Sequence, residues 1–264
     1  MVEGLSVVLP AYNEEENISP VVSRALEVLP RMAVRYEVIV VNDGSRDRTV
    51  NEAQKFVDAH YPRVRLVNHA ANLGYGAALR SGFEHASENL IFYTDADNQF
   101  DLAELEYFLA MITHHDMVIG FRVYRYDSVL RSMVSWIYNR IVGIMFRVHV
   151  RDVDCSYKLF RREVLEKITI DCEDFFVDTE LIAKARRWNF RIAEKGVRHY
   201  PRVAGETTVQ PSDVQRTLKT VFRMWRRIYL PARGQVEQSA ARQARSEAFE
   251  VLPSGKRDGE RLLR

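Results

Sequence analysis

The segment YTDADNQF, Tyr93–Phe100, sets Asp95 and Asp97 one residue apart behind an apolar run. Two carboxylates at that spacing offer hard oxygen ligands to one divalent cation, and such a cation neutralises a nucleotide diphosphate. Gln99 adds a neutral oxygen two residues on. The same letters also spell an Asx-turn leading to a helix capped by Asp101. The pair alone does not choose between these readings.

A second constellation is basic. From residue 122 to 151, Arg122, Arg125, Arg131, Arg140, Arg147 and Arg151 are opposed only by Asp127. The stretch Asp127–Val148 predicts an amphipathic helix. Leu130, Met133, Val134, Ile137, Ile141, Ile144, Met145 and Val148 make its apolar face, and Ser128, Arg131, Ser135 and Asn139 a narrow polar stripe. Arg131 and Ser135 stand one turn apart, so both can reach one phosphate. Trp136, Tyr138 and the arginines suit a membrane interface, and a core helix or a dimer contact is the other reading. A second such helix is predicted over Ser212–Tyr229. There Val214, Leu218, Val221, Phe222, Trp225 and Ile228 oppose Arg216, Lys219, Arg223, Arg226 and Arg227.

These groups need a scaffold. Apolar runs at Leu5–Ala11, Tyr36–Asp43, Val64–His69, Asn89–Asp97 and Asp116–Arg122 alternate with helical patterns at Ile18–Leu29, Arg46–His60, Gly74–Gly82 and Leu102–Thr113. Continuously apolar strands separated by helices predict an α/β fold with a parallel sheet covered on both faces. Right-handed crossovers put the strands' C-terminal ends on one edge, where ligands bind. Tyr12-Asn13-Glu14, Asn42-Asp43-Gly44-Ser45, Asp95/Asp97 and Arg122 all follow strands and so converge there.

The bulk properties agree with a catalytic or binding domain. The chain has 264 residues, 47% hydrophobic and 28% charged, and its net charge of +2 is too small to point to nucleic acid. Cys155 and Cys172 fit neither a metal-binding spacing nor a disulfide framework, so a reducing cytosol and structural roles are expected. No apolar run reaches the roughly 18 residues that span a bilayer, and no signal peptide is expected. Gly74, Gly76 and Gly82 follow the third strand at the wrong spacing for a dinucleotide fingerprint, which disfavours a dehydrogenase. From about Gly234 the chain turns polar, mixed in charge and poor in aromatics, and is expected to be a mobile tail.

The blocks VVLPAYNEEENI, VIVVNDGSRDRT, NLGYGAALRSG and YTDADNQF occur in this order at strand ends. In this they resemble the inverting family 2 glycosyltransferases, over roughly residues 4–205. The block VRDVDCSYKLFRREVL resembles a further segment of that family, with Ser156-Tyr157 where Gly-Phe is usual. Within the family the chain is similar to polyprenyl-phosphate sugar synthases of the dolichol-phosphate mannose or glucose type.

The resemblance implies a GT-A fold, Rossmann-like and mostly parallel. It implies that Pro10, Tyr12 and Glu14 frame a nucleobase, with Asp43 accepting from it. Asp95, Asp97 and Gln99 would hold Mg2+ or Mn2+ on the diphosphate, and Arg202, in HYPRVAGETT, would close over the donor phosphates. Arg122, Arg131 and Ser135 would hold a lipid phosphate. Asp178 and Glu180 stand where similar enzymes place an acid near the sugar, and a helix N-cap also accounts for Asp178. Glu14 equally suits a helix start, and Asp43 a turn.

A phosphate monoester is already largely dianionic at pH 7, so it needs no general base. With a hydroxyl acceptor, Asp152 or Asp154 is a candidate for that base, and structural hydrogen bonding is the equal alternative for either. The expected protein is a metal-dependent inverting transferase acting on a nucleotide-sugar donor and a polyprenyl phosphate, peripheral at the cytoplasmic membrane face. Transfer to a hydroxyl acceptor and a non-catalytic nucleotide-sugar-binding protein are the alternatives. The expected layout is a catalytic domain over 1–210, a basic helix over 211–233 and a tail over 234–264.

Overall fold

A computed structural model of the chain describes residues 1–123, 139–201 and 213–229. Its most continuously covered strand is β1 (Val2–Ala11), buried without a break from Gly4 to Ala11. A strand covered on both faces has no polar side to alternate with, which is why its sequence reads as continuously apolar. β2 (Ala33–Asn42) and β4 (Leu90–Tyr93) flank it in parallel, and β3 (Val64–Asn68) follows β2. The helix α1 (Ile18–Val28) buries Ile18, Val21, Val22, Ala25 and Val28, the spacing of one helical face. α2 (Thr49–His60) and α3 (Tyr75–His85) complete the crossovers of this half. Gly82 lets α3 lie directly on the sheet, since a Cβ there would collide with Val8 and Val41.

The second half departs from a purely parallel plan. After α4 (Leu105–Met111) come β5 (Met117–Arg122), the helical residues 139–146 (α5) and β6 (Lys158–Arg161). β6 runs antiparallel to both β4 and β5 and lies between them. The sheet order is therefore β3-β2-β1-β4-β6-β5-β7, with β7 (Ile192–Val197) parallel to β5 at the far edge. Neither β6 nor β7 is marked by periodicity. β6 is short and carries Lys158, and β7 is half-exposed with charged residues. α6 (Arg162–Lys167) and α7 (Val177–Arg187) connect them.

The first expected amphipathic helix needs correction where it can be seen. In 139–148 the buried residues are Val142, Phe146 and Val148, whereas Ile144 is 69% exposed. The inward face is thus rotated from the predicted one, and Phe146 packs on Phe176 with ring centroids 5.4 Å apart. The last helix, α8 (Asp213–Tyr229), spans the boundary between two units at Val221 and Phe222. Within it Val221, Met224 and Ile228 are buried and Phe222 is exposed. Among the described residues no helix is long and apolar enough to cross a membrane. The expected tail from Gly234 lies outside the described residues.

Candidate functional site

The loops leaving β1 and β2 are zipped together. Asn13 N–H donates to Ser45 Oγ at 2.9 Å, and Arg46 N–H returns to Asn13 Oδ1 at 2.9 Å. Glu14 N–H donates to Thr49 Oγ1 at 2.8 Å, and Arg48 N–H donates to Glu15 Oε2 at 2.8 Å. Asn13 holds φ 56°, a left-handed turn that asparagine tolerates. Pro10 is buried and Tyr12 half-buried at this edge. The Glu14 carboxylate accepts from Asn17 Nδ2 at 2.7 Å, as a residue shaping a helix start does.

Asp43 is buried, and its carboxylate is engaged by the next loop. Leu73 N–H donates to Oδ1 and Gly74 N–H to Oδ2, both at 2.9 Å. His69 Nδ1 lies 2.7 Å from Oδ1, and its Nε2 lies 2.9 Å from Ser81 Oγ. Asp43 thereby fixes the turn at Gly74, which has φ 99° and opens α3. His69 lies outside the family-like blocks, and Ser81, inside NLGYGAALRSG, has no role assigned there.

The glycines at the start of α3 have a specific reason. A Cβ on Gly74 would strike the Glu173 carbonyl, and one on Gly76 the Cys172 carbonyl. The segment before α7 lies against this turn, with Gly76 N–H donating to Glu173 O at 2.9 Å. Glu180, fully buried on α7, holds that segment from below by accepting from Cys172 N–H at 2.9 Å and Lys184 Nζ at 2.6 Å. Phe175 then stacks on Tyr75 with centroids 5.5 Å apart, yet stays 60% exposed.

The acidic turn follows β4, which ends at Tyr93. Asp97 Oδ1 accepts from Gln99 N–H at 3.1 Å, and Asp101 Oδ1 accepts from Ala103 N–H at 3.0 Å. The Asx-turn and the cap are both present. They do not exclude a cation, because each carboxylate oxygen has lone pairs to spare. Gln99 is clipped to a neighbouring segment, its Nε2 donating to Tyr200 O at 2.8 Å. Asp95 accepts from Tyr75 Oη at 2.8 Å on Oδ1 and from Ser156 Oγ at 2.5 Å on Oδ2. Burial pushes the Asp95 carboxyl up from its ordinary value, and the two hydroxyls draw it back. Among the described residues no group of three His, Cys, Asp or Glu forms a metal cluster. A pair of carboxylates that leaves the rest of the shell to water and phosphate oxygens is the donor set of a Mg2+-type site, so the residues fit that group.

On the opposite side of the turn, Arg122 forms a two-point pair with Asp152. Burial opposes the guanidinium charge, but the Asp152 hydrogen bonds prevail and hold its pKa above the ordinary value. Asn139, from the predicted polar stripe, accepts from Val153 N–H at 3.0 Å and so fixes this loop. Asp154 is half-buried, and burial together with the charges of Asp178 and Asp152 raises its pKa to about 7. Behind it Lys158, fully buried, pairs with Asp178 and donates to Cys155 O at 2.6 Å. Tyr93 Oη also donates to Asp178, at 2.5 Å. Asp178 is therefore the counter-ion of a buried lysine. The N-cap reading fails, since the cap position of α7 is Phe176 and Asp178 turns inward. Both cysteines are buried free thiols, and burial pushes Cys155 up to about 12.

The structure thus joins the loops bearing Glu14, Asp43, Asp95 and Ser156 into one hydrogen-bonded edge. Arg131, Ser135 and Arg202 lie outside the described residues. Lys158 and Tyr75 lie inside the family-like blocks, but neither is given a role there. Lys158 stands at a position of the VRDVDCSYKLFRREVL segment where the family carries Lys or Arg and is a lone charge inside YKLF, and Ser156 departs from the family's glycine.

The doubly covered sheet with an antiparallel strand inserted beside an acidic turn is a GT-A-like fold. Residues 6–169 match the model of the family described as Glycosyl transferase family 2, and the chain belongs to that family. It is 30% identical over 221 residues to the dodecaprenyl-phosphate galacturonate synthase of Rhizobium johnstonii, covering 83% of this chain and 64% of that protein. It is 31% identical over 209 residues to the undecaprenyl-phosphate 4-deoxy-4-formamido-L-arabinose transferase of Shewanella sediminis, covering 78% of this chain and 62% of that one. The chain thus spans less than two thirds of the length of these relatives. Its fold resembles glucosyl-3-phosphoglycerate synthase from Mycobacterium tuberculosis, solved in complex with Mn2+ and UDP-glucose. The TM-score is 0.66 at 20% identity, over 84% of this chain and 79% of that one.

Proposed function

We propose that the protein transfers a sugar, with inversion, from a nucleotide-diphosphate sugar to a polyprenyl monophosphate at the cytoplasmic face of the membrane. The observation that carries this reading is the double attachment of Asp95. One bond ties it to α3, whose first turn Asp43 holds, and the other to the loop that follows Asp152 and Asp154. Donor-side and acceptor-side loops meet at one carboxylate. The relatives, both named as acting on lipid phosphates, support the acceptor class.

In this reading Pro10, Tyr12 and Glu14 frame the base. Asp43, which also holds Leu73 and Gly74, accepts from the base with the lone pair left on its carboxylate. Asp95 and Asp97, with Gln99, hold Mg2+ or Mn2+. When bound, the cation offsets the charge that builds on the departing diphosphate. Arg122, oriented by Asp152, binds the acceptor phosphate together with Arg131 and Ser135, and Arg202 contacts the donor phosphates. The acceptor dianion attacks the anomeric carbon without a base, and these side chains supply position and charge. Detergent-dispersed polyprenyl phosphate offered as sole acceptor, with a panel of UDP- and GDP-sugars and Mn2+, tests it. Absence of any sugar-lipid with every donor rejects it.

One observation favours a second reading. A half-buried carboxylate with a pKa of about 7 is matched to general-base work. Asp154 would then deprotonate a hydroxyl acceptor. Transfer to a saccharide or glycolipid hydroxyl, lost in Asp154→Asn, would select this reading over the first.

A further inference from the structure

We propose that Tyr75 and Ser156 are positioning residues that lock the Asp95 carboxylate in the orientation a divalent cation requires. The inference rests on the reading that Asp95 and Asp97 hold that cation.

Asp95 lies beyond the last residue of β4, so the sheet's hydrogen bonds do not fix its side chain. Two hydroxyls do. An ionised carboxylate only accepts, so both must donate to it. Tyr75 Oη takes Oδ1 at 2.8 Å and Ser156 Oγ takes Oδ2 at 2.5 Å. One donor on each oxygen stops the carboxylate from rotating, and each oxygen keeps a lone pair for a metal.

The two donors come from independent elements, and each is itself fixed. Tyr75 is the first residue of α3. Its turn is anchored by Gly74 N–H on Asp43 and by Gly76 N–H on Glu173 O, and its ring rests on Phe175. Ser156 is 4% exposed and sits two residues before β6, so the strand that follows sets its position. Hydrogen bonds of this kind behind a ligating carboxylate typically carry about 10- to 100-fold of metal affinity. They also lower the carboxylate's basicity, which by itself weakens its hold on a cation. The proposal is that orientation outweighs that loss.

Free Mn2+ counted by electron paramagnetic resonance gives the test. The full chain is titrated with Mn2+ in the presence of saturating UDP, and in a second series GDP, with thermal melts run in parallel. Tyr75→Phe and Ser156→Ala are each expected to weaken Mn2+ binding about tenfold or more at a nearly unchanged melting temperature. Asp97→Asn serves as the control for the site itself. Unchanged or tighter Mn2+ binding in Tyr75→Phe and Ser156→Ala, with binding lost in Asp97→Asn, would overturn this inference and leave the metal reading standing. A wild-type chain that takes up no Mn2+ with either nucleotide, or an Asp97→Asn chain that binds as well as wild type, would overturn both. Should Ser156→Ala not fold, Tyr75→Phe decides, because it keeps the ring on Phe175 and removes only the hydroxyl.

Discussion

Arg122 and Asp152 meet as a two-point pair at the end of β5, Nε to Oδ2 at 2.7 Å and Nη2 to Oδ1 at 2.8 Å. The Arg122 backbone N–H also donates to Asp152 Oδ2, at 3.3 Å. The aspartate thus fixes both the strand end and the direction of the guanidinium. Lysine has no planar fork and cannot reproduce this geometry. Arg122→Lys is expected to raise the KM for polyprenyl phosphate about tenfold, a change of about 1.4 kcal/mol in acceptor binding. The KM for the sugar nucleotide should hardly move. Steady-state kinetics with each substrate varied in turn separates the two, and an equal rise in both would show that Arg122 supports the fold rather than the acceptor.

Lys158 and Asp178 form a buried pair, fully buried and 4% exposed respectively. Removing one partner leaves the other charge uncompensated in a low-dielectric interior, which costs about 3–5 kcal/mol. Lys158→Met should lower the urea midpoint accordingly. Adding Asp178→Leu should recover part of the loss, because an apolar pair carries no charge desolvation. A double variant no more stable than Lys158→Met would refute that account of the pair.

Gly76→Ala puts a Cβ against the Cys172 carbonyl, a backbone atom that cannot step aside. The overpacking is expected to cost about 1–3 kcal/mol. Gly4→Ala is the comparison. The three atoms nearest its Cβ all belong to the Glu88 side chain, whose end can turn away at the expense of its surface pair with Arg35. Thermal melts should therefore rank Gly76→Ala well below Gly4→Ala, and the reverse order would show that the α3 turn does not rely on that backbone contact.

Asp154 has a pKa of about 7 in the folded chain, well above the ordinary aspartate value of 3.8. Between those values the unfolded chain has lost this proton and the folded chain still holds it. Stability from this group is therefore complete below about pH 4, falls as pH rises to about 7, and is level above that. Asp154→Asn removes the dependence. Urea unfolding in EDTA should show the variant gaining on wild type as pH rises from 4 to 8, and parallel profiles would contradict the shift.

Asp97→Ala removes a proposed cation ligand at the strand edge. Sugar transfer should fall by about a hundredfold or more, since metal stabilisation of the leaving diphosphate is worth several kcal/mol. EDTA should abolish wild-type transfer and Mn2+ should restore it. Full turnover by Asp97→Ala in a radiolabelled-sugar assay would remove this residue from the chemistry.

Much of the fold was legible because covered parallel strands write themselves as unbroken apolar runs. β1, β2, β3 and β5 fall where those runs are, and Asp101 caps a short 3-10 turn, Leu102–Glu104, that leads into α4 rather than α4 itself. The run through Asn89–Asp97 overshot, because only Leu90–Tyr93 keeps its sheet partners while Asp95 and Asp97 turn out at the edge. β6 and β7 were missed for a physical reason. A four-residue strand held between two neighbours needs no apolar period of its own, and an edge strand is only half-covered.

The ordered motifs and their places after strands were enough to determine the family, the doubly covered sheet, and the edge on which Asp43, Asp95 and Arg122 lie. Side-chain partners were beyond their reach. That Ser156 touches Asp95 across sixty-one positions follows from β6 entering the sheet backwards between β4 and β5. That reversal brings the start of β6, rather than its end, to the ligand edge. Likewise Asp178 reads as a helix cap until the fold sets it beside Lys158. Local patterns report which face of an element is covered. Which polar groups then meet depends on strand order and direction, and these are set by packing among segments far apart in the chain.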